Sequence, residues 1–230
     1  MLVLALDTAL GACSAAVLDT ASGQILAALS EPMERGHAER LIPLAAETCA
    51  AAGVAPAACN RFVATTGPGS FTGLRVAVAA ARAMALAAGG EAVGLSTLAA
   101  LAAPWHGRPE ALAVLTAVDA RHGHVYAALT APDGTAIVPP SYLPVHEAAR
   151  LAAARPVAVV GPGAEAVLAA WPEGAALPAV LDGRTAPDIA VVARLGAMAD
   201  PAASPCRPLY LKAVDAKPQA ARPGAAEARP

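Results

Sequence analysis

Aromatic residues make up only 3% of this 230-residue chain, so any core must close around small side chains rather than stacked rings. The apolar fraction of 57% is largely alanine. No stretch approaches the roughly 20 bulky apolar residues that a membrane span needs. The opening Met1-Leu2-Val3-Leu4-Ala5-Leu6-Asp7 lacks a basic region ahead of its apolar run, and it is expected to be a first strand rather than a signal peptide. Cys13, Cys49, Cys59 and Cys206 stand apart with no CxxC pair. That spacing argues against a zinc site or a disulfide frame and suits reduced thiols in a cytoplasmic protein. Neither charge sign dominates, with 16 basic against 18 acidic residues. Strong unaided binding to a nucleic-acid backbone, which needs a basic surface, is therefore not expected. The length allows one large domain or two small lobes.

What is present is organised around residues 61–88. An apolar strand, Arg61 to Thr66, runs into Gly67-Pro68-Gly69-Ser70-Phe71-Thr72-Gly73-Leu74-Arg75 and then into a long Ala/Val/Met helix. Gly67 and Gly69 let the backbone turn where a Cβ would clash, and Ser70 and Thr72 can cap the helix. Gly73, Ala77, Ala81, Met84 and Ala88 recur at spacings of three and four, giving one face with little bulk. Arg75 and Arg82 share a second side. Three chemical readings of the loop fail on spacing. A P-loop lacks its lysine, a dinucleotide fingerprint finds Thr72 where its third glycine belongs, and a nucleophile elbow on Ser70 finds Pro68 and Thr72 instead of glycines. A tight strand-to-helix turn remains, with a weak anion site at the helix start as the alternative.

Taken in order, the chain predicts strands at Leu2–Leu6, Ala12–Leu18 and Gln24–Ser30, a helix at about 37–52, the central strand and helix, and a strand at Ala92–Leu95. Ser96-Thr97 caps a short helix to Ala103, and Pro104 to Pro109 reads as a hinge. The pattern then restarts: strands at Ala111–Val118, His124–Thr130 and Thr135–Val138, a helix from His146 to Ala154, a strand at Pro156–Val160, and Gly161-Pro162-Gly163 opening a helix to Ala170. Three strands, helix, strand, helix occurs twice, as in two similar α/β lobes with a cleft between them. We divide the chain into a first lobe at 1–103, a second at 104–217 and a disordered Pro/Ala/Arg tail at 218–230. Asp188 to Ala199 is a last amphipathic helix, a candidate to pack back on the first lobe.

Asp7, at the carboxyl end of the first strand, could face a metal-bound phosphate with Thr8 and Gly11; a carboxylate capping a β-turn is an equally good reading. His122, His124 and Asp119 could hold a metal, but no fourth ligand has recognisable spacing and a solvated hairpin end is favoured. His37-Ala38-Glu39 has the H-x-E of zinc deaminases without the matching P-C-x-x-C. His106 and His146 stand alone, and no Ser/His/Asp relay or carboxylate pair has a recognisable frame.

Several segments together resemble one family. TTGPGSFTGLRVAVAAARAMA, LALDTALGACSAAVLD, STLAAL, VDARHGHVYAAL and PLYLKAVDAK occur in the order and at the spacing of the TsaB (YeaZ) family, over about residues 1–217. These are bacterial proteins required for threonylcarbamoyladenosine at position 37 of tRNA. The resemblance implies two ribonuclease H-like lobes of the actin/sugar-kinase-like (ASKHA) ATPase superfold. It implies TsaD as partner in a heterodimer, TsaE in the ternary complex, and tRNA indirectly, with a homodimer as an alternative. It also implies threonylcarbamoyl transfer to N6 of that adenosine in tRNAs reading ANN codons, performed by the complex and not by this chain.

The catalytic relative, TsaD, has an H-x-x-x-H metal pair where this chain reads Ser96-Thr97-Leu98-Ala99-Ala100-Leu101. It has a glycine-rich phosphate loop where this chain reads Asp119-Ala120-Arg121-His122, and no Asn follows Gly161-Pro162-Gly163-Ala164. Asp7, Thr8, Asp119, Arg121, Gly161 and Gly163 are accordingly expected to line a degenerate nucleotide cleft. ATP and magnesium are then assigned to the complex, with no cofactor or metal on this chain alone. A partner interface is expected on the helix faces bearing Leu41, Leu44, Ala45, Gly73, Arg75, Ala77, Ala81 and Met84. Arg207, Lys212 and Lys217 are candidates to help hold tRNA. The competing readings are a stand-alone ATPase or kinase of the same fold, or a glycoprotease-like enzyme.

Overall fold

The structure is a computed structural model, and it describes residues 1–211. Two five-stranded mixed sheets repeat one topology. The first is built from β1 (Leu2–Asp7), β2 (Ala12–Asp19), β3 (Gln24–Pro32), β4 (Arg61–Gly67) and β5 (Glu91–Ser96), in the order β3-β2-β1-β4-β5. The second uses β6 (Ala113–Arg121), β7 (His124–Thr130), β8 (Ala136–Pro144), β9 (Val157–Val160) and β10 (Val180–Asp182), in the order β10-β9-β6-β7-β8. In each, three strands pair antiparallel and two more join in parallel, as helical crossovers require.

Helices α1 (His37–Ala51) and α2 (Phe71–Ala88) cover one face of the first sheet. Leu4 and Leu6 of β1 meet them there, while Val3 and Ala5 point to the other face, so the strand is apolar throughout. That other face is covered by α6 (Ile189–Met198), joined by Ala100 from α3 (Thr97–Ala102). The second sheet carries α4 (Val145–Ala153) and α5 (Ala164–Ala169) on one side. Leu98, Leu101 and Ala102 of α3 pack on its other side, so this short helix lies between the two lobes.

Helix α6 follows the second lobe in sequence but belongs to the first in space. Gly196 makes its approach possible: a Cβ there would sit 2.3 Å from Cγ2 of Val63. Arg61 holds the end of the helix, its Nη1 donating to the carbonyls of Gly196 (3.1 Å), Ala197 (2.9 Å) and Ala199 (2.9 Å). These are carbonyls a helix terminus leaves without partners. The following segment runs beside β5, where Gly94 N–H donates to Ser204 O at 2.9 Å, and reaches β4, where Leu209 N–H donates to Thr66 O at 2.7 Å.

Among the described helices, α2 is long and apolar enough to cross a membrane by length and composition. Gly73, Leu74, Ala77, Val78, Ala81 and Ala85 are nevertheless buried in the fold, and α2 is a core helix rich in alanine. All four cysteines are buried free thiols. Three sequence expectations need adjustment. The β6 strand starts at Ala113 because Ala111 takes a left-handed φ of 47°. The β8 strand continues through Pro139-Pro140 to Pro144, tolerated because it lies at the sheet edge. The three-residue edge strand β10 was not expected, since a run that short has no period to read.

Replacing Arg61 with Met is expected to lower unfolding free energy by about 2 kcal/mol or more, the scale of lost hydrogen bonds to a charged group. Urea denaturation measures the loss, and hydrogen exchange should place it first in α6.

Candidate functional site

A cleft of about 470 Å³ opens between the lobes where β1, β4 and β6 end. Gly69, Ser70 and Phe71 at the start of α2 form part of its first-lobe wall, joined by Glu34 and His37 at the start of α1. The β6–β7 hairpin supplies the other wall with Val118, Asp119, Arg121 and Tyr126. The first wall is fixed by close backbone contact. A Cβ on Gly69 would lie 2.3 Å from Ala9 O, and one on Gly73 would lie 2.0 Å from Thr8 O. Ser70 N–H donates to Ala9 O at 2.8 Å, and Thr8 Oγ1 donates to Gly73 O at 2.7 Å. Ser70 Oγ in turn accepts from Gly73 N–H at 3.3 Å, the N-cap expected from its position.

Asp7 and Thr8 do not line the cleft. Both are fully buried beneath it. Asp7 Oδ1 accepts from Ala9 N–H at 3.1 Å and from the Thr65 hydroxyl, which is the turn-capping role. Its Oδ2 has no hydrogen-bond partner, and neither has the buried Nε2 of His37. Burial pushes the Asp7 carboxyl above its ordinary value of 3.8, opposed by the two hydrogen bonds and by nearby His37.

Gly161 and Gly163 are also displaced from the expected cleft. Gly161 N–H donates to Asp182 O at 2.8 Å and Gly163 N–H to Ala117 O at 2.9 Å. A Cβ on Gly161 would lie 2.5 Å from Ala117 O, so these glycines serve close packing behind β6. The N–H groups of Gly161 and Gly163 are thus bonded to the chain itself. Asp119 and Arg121 do reach the cleft. Asp119 Oδ1 accepts from Arg121 N–H at 2.8 Å, closing a hairpin tip in which Arg121 and His122 have φ of 64° and 52°. His124 stacks on Tyr142 with centroids 4.6 Å apart, and its Nδ1 donates to His122 O at 2.9 Å. Among the described residues no group of three or more His, Cys, Asp or Glu is placed to hold a metal.

Sequence reasoning missed Glu34 and His37 as wall residues, because it read one as polar loop and tested the other only as part of a zinc motif. The expected partner face needs correction. Leu41, Leu44, Ala45, Gly73, Ala77 and Ala81 are buried within this chain's own core, and Met84 is partly buried against it. A sheet face of leucine, valine and phenylalanine must be covered, and the small-residue stripe covers it. Only Arg75 of that set is exposed. Its guanidinium lies 3.7 Å over the Phe71 ring, and its Nε donates to the Tyr210 hydroxyl at 3.0 Å. The outward faces of the two helices instead present Ile42, Phe71, Arg82 and Leu86, with Leu86 86% exposed. Arg207 is exposed, while Lys212 and Lys217 lie outside the described residues.

Two lobes of repeated topology around a cleft define the class, and the sequence agrees. Residues 29–163 match the model of the family described as TsaD: tRNA N6-adenosine threonylcarbamoyltransferase. The solved structure of YeaZ from Pseudomonas aeruginosa superposes with a TM-score of 0.76 at 30% identity, covering 91% of this chain and 99% of that one. The tRNA threonylcarbamoyladenosine biosynthesis protein TsaB of Escherichia coli is 36% identical over 126 residues. That match takes in 55% of this chain and 53% of the relative, so it spans about half the length of that protein. An uncharacterized protein of Mycobacterium tuberculosis is 35% identical over 221 residues, 95% of each chain. The chain belongs to the TsaB (YeaZ) family, in the α/β two-lobe fold of the ASKHA type.

The raised Asp7 pKa has a definite sign. A carboxyl that holds its proton more tightly when folded favours folding below the unfolded pKa and loses that advantage as pH rises toward the folded value. Asp7→Asn should therefore remove one source of declining stability above about pH 3.8. Unfolding curves across pH 3 to 8 should show the variant gaining on the wild type as pH rises.

Proposed function

We propose that this chain is a non-catalytic subunit of the machinery that makes threonylcarbamoyladenosine in tRNA, acting in the cytoplasm by docking on TsaD. The transfer of the threonylcarbamoyl group to N6 of the tRNA adenosine would be housed in that partner, with TsaE joining the assembly and tRNA held by the complex. The name of the E. coli relative supports the pathway. The observation that carries the non-catalytic part is the bonding of Gly161 and Gly163 N–H to Asp182 O and Ala117 O. With those donors taken and the Asp119 carboxylate at the cleft repelling phosphate oxygens, a triphosphate fits poorly, and we assign ATP with its magnesium to the partners.

TsaD as partner is supported by the family-model match over residues 29–163, a span that includes both α1 and α2. Two chains of related fold can pair through equivalent helices, which also leaves a homodimer as the arrangement when TsaD is absent. The outward residues suit such an interface. Ile42 and Leu86, at 50% and 86% exposure, are apolar side chains on adjacent helices, and Arg75 and Arg82 are also exposed on α2. Docking activates only if the bound TsaD differs in population or order from the free one.

A stand-alone ATPase or kinase is the second reading, favoured by the open 470 Å³ cleft. Calorimetry with Mg-ATP and the isolated chain separates the two, since tight binding would support the enzyme. A glycoprotease would need a nucleophile or metal, and the cleft-lining residues form no relay with the unpartnered His37 Nε2.

The double variant Ile42→Asp/Leu86→Asp should retain the fold, because both side chains are exposed. It is expected to lower co-purification with TsaD, and to slow tRNA modification in a reconstituted system, by about tenfold or more, the scale of losing interface anchors. Wild-type rates would remove this face from the reading. Gly73→Leu is not a clean probe, because its side chain would strike the Thr8 carbonyl.

A further inference from the structure

A second cavity, of about 260 Å³, shares no lining residue with the interlobe cleft. It lies on the side of the second sheet away from α4 and α5, against α3, and Leu195 of α6 closes one edge. Its origin is a difference between the lobes. The ten-residue α6 covers the inner face of the first sheet, whereas the corresponding face of the second has the six-residue α3. Five alanines, Ala99, Ala102, Ala103, Ala128 and Ala136, line the space that larger side chains would fill. The space exceeds the roughly 150 Å³ of an apolar cavity that admits benzene.

The lining is apolar with one polar pole. Leu98, Ala102, Ala103, Ala128 and Ala136 are among its apolar lining residues, and no charged residue lines it. Among the lining residues, His106 Nε2 donates to Thr130 Oγ1 at 2.8 Å, and that hydroxyl donates to Val114 O at 3.4 Å, leaving an oxygen lone pair for a ligand donor such as an N–H. Burial holds the His106 pKa below its usual value, against the opposing field of Asp133, so the pole is neutral at pH 7. Ser96 and Thr116 also line it, but the Ser96 hydroxyl accepts from Ala99 N–H and the Thr116 hydroxyl donates to Ala128 O, each at 3.4 Å.

We propose that this cavity is a binding site for a small uncharged ring compound, mostly apolar, whose single hydrogen-bonding group meets the Thr130–His106 pair. Wall and pole match the general form of a small-molecule pocket, largely apolar with few placed polar groups, and the volume of about 260 Å³ suits a ligand smaller than drug-sized ones. The ligand would touch α3, the second sheet and α6, and α6 is packed on the first sheet. Occupancy would therefore hold the two lobes in this relative position.

The test uses indole and naphthalene as probes with the full chain, followed by NMR of ligand saturation transfer and of the His106 ring protons. Saturable indole binding with a dissociation constant below about 1 mM, accompanied by a His106 shift, is the expected result. Ala99 lines the cavity yet is solvent-exposed, so Ala99→Phe should fold and fill it, weakening both probes by about tenfold or more. Thr130→Val should weaken indole several-fold and leave naphthalene nearly unchanged, which a merely structural threonine would not do. Unsaturable binding, wild-type affinity in Ala99→Phe, or equal loss of both probes in Thr130→Val would each overturn the proposal. Should Ala99→Phe fail to fold, the two-probe comparison in Thr130→Val and the His106 shift decide it.

Discussion

The contact between the start of α2 and the turn after β1 is the constraint on which the rest of the architecture depends. Two glycines put helix backbone against turn backbone, and two hydrogen bonds of 2.7 and 2.8 Å tie the surfaces together. No residue with a Cβ fits at Gly69 or Gly73 without displacing a carbonyl. The helix is thus seated close to the sheet, and alanines at 77, 81 and 85 continue that close approach along its length. A chain with few rings achieves a dry core by bringing backbones together, which raises packing density without large side chains.

The same contact shapes the cleft. It buries Asp7 and Thr8 beneath the wall, leaves Ser70 and Phe71 on it, and faces them toward the Asp119–Arg121 hairpin. On the second lobe, Gly161 and Gly163 repeat the strategy by packing on Ala117. The N–H groups of Ser70, Gly161 and Gly163 are consumed in holding the fold. The outward faces of α1 and α2, with Ile42, Arg75, Arg82 and Leu86, remain exposed. The proposed docking function rests on those faces.

Most of the strand and helix order was legible because it rests on local patterns. Leu2 to Leu6 reads as a strand buried on both faces, Ser70 as a cap, and the doubled three-strand pattern as two lobes. The site was less legible. Gly73, Ala77 and Ala81 carry a small-residue signature that is the same whether the neighbour is a partner helix or the chain's own sheet. Gly161 likewise looks the same in sequence whether its N–H faces a phosphate or Asp182. His37 and Glu34 carry no periodic signal, and they reach the cleft only because α1 begins beside α2.

By itself the sequence determined the family, the repeat and the places where the backbone must turn, because each is encoded in neighbouring residues. Tertiary structure decided which face of each helix is spent on the core, that α6 returns to the first sheet, and which glycines meet solvent. Those outcomes depend on contacts such as Arg61 with Ala199, 138 residues apart, and no local pattern specifies them. Burial is a property of the whole assembled surface, so it appears only when the sheets are in place.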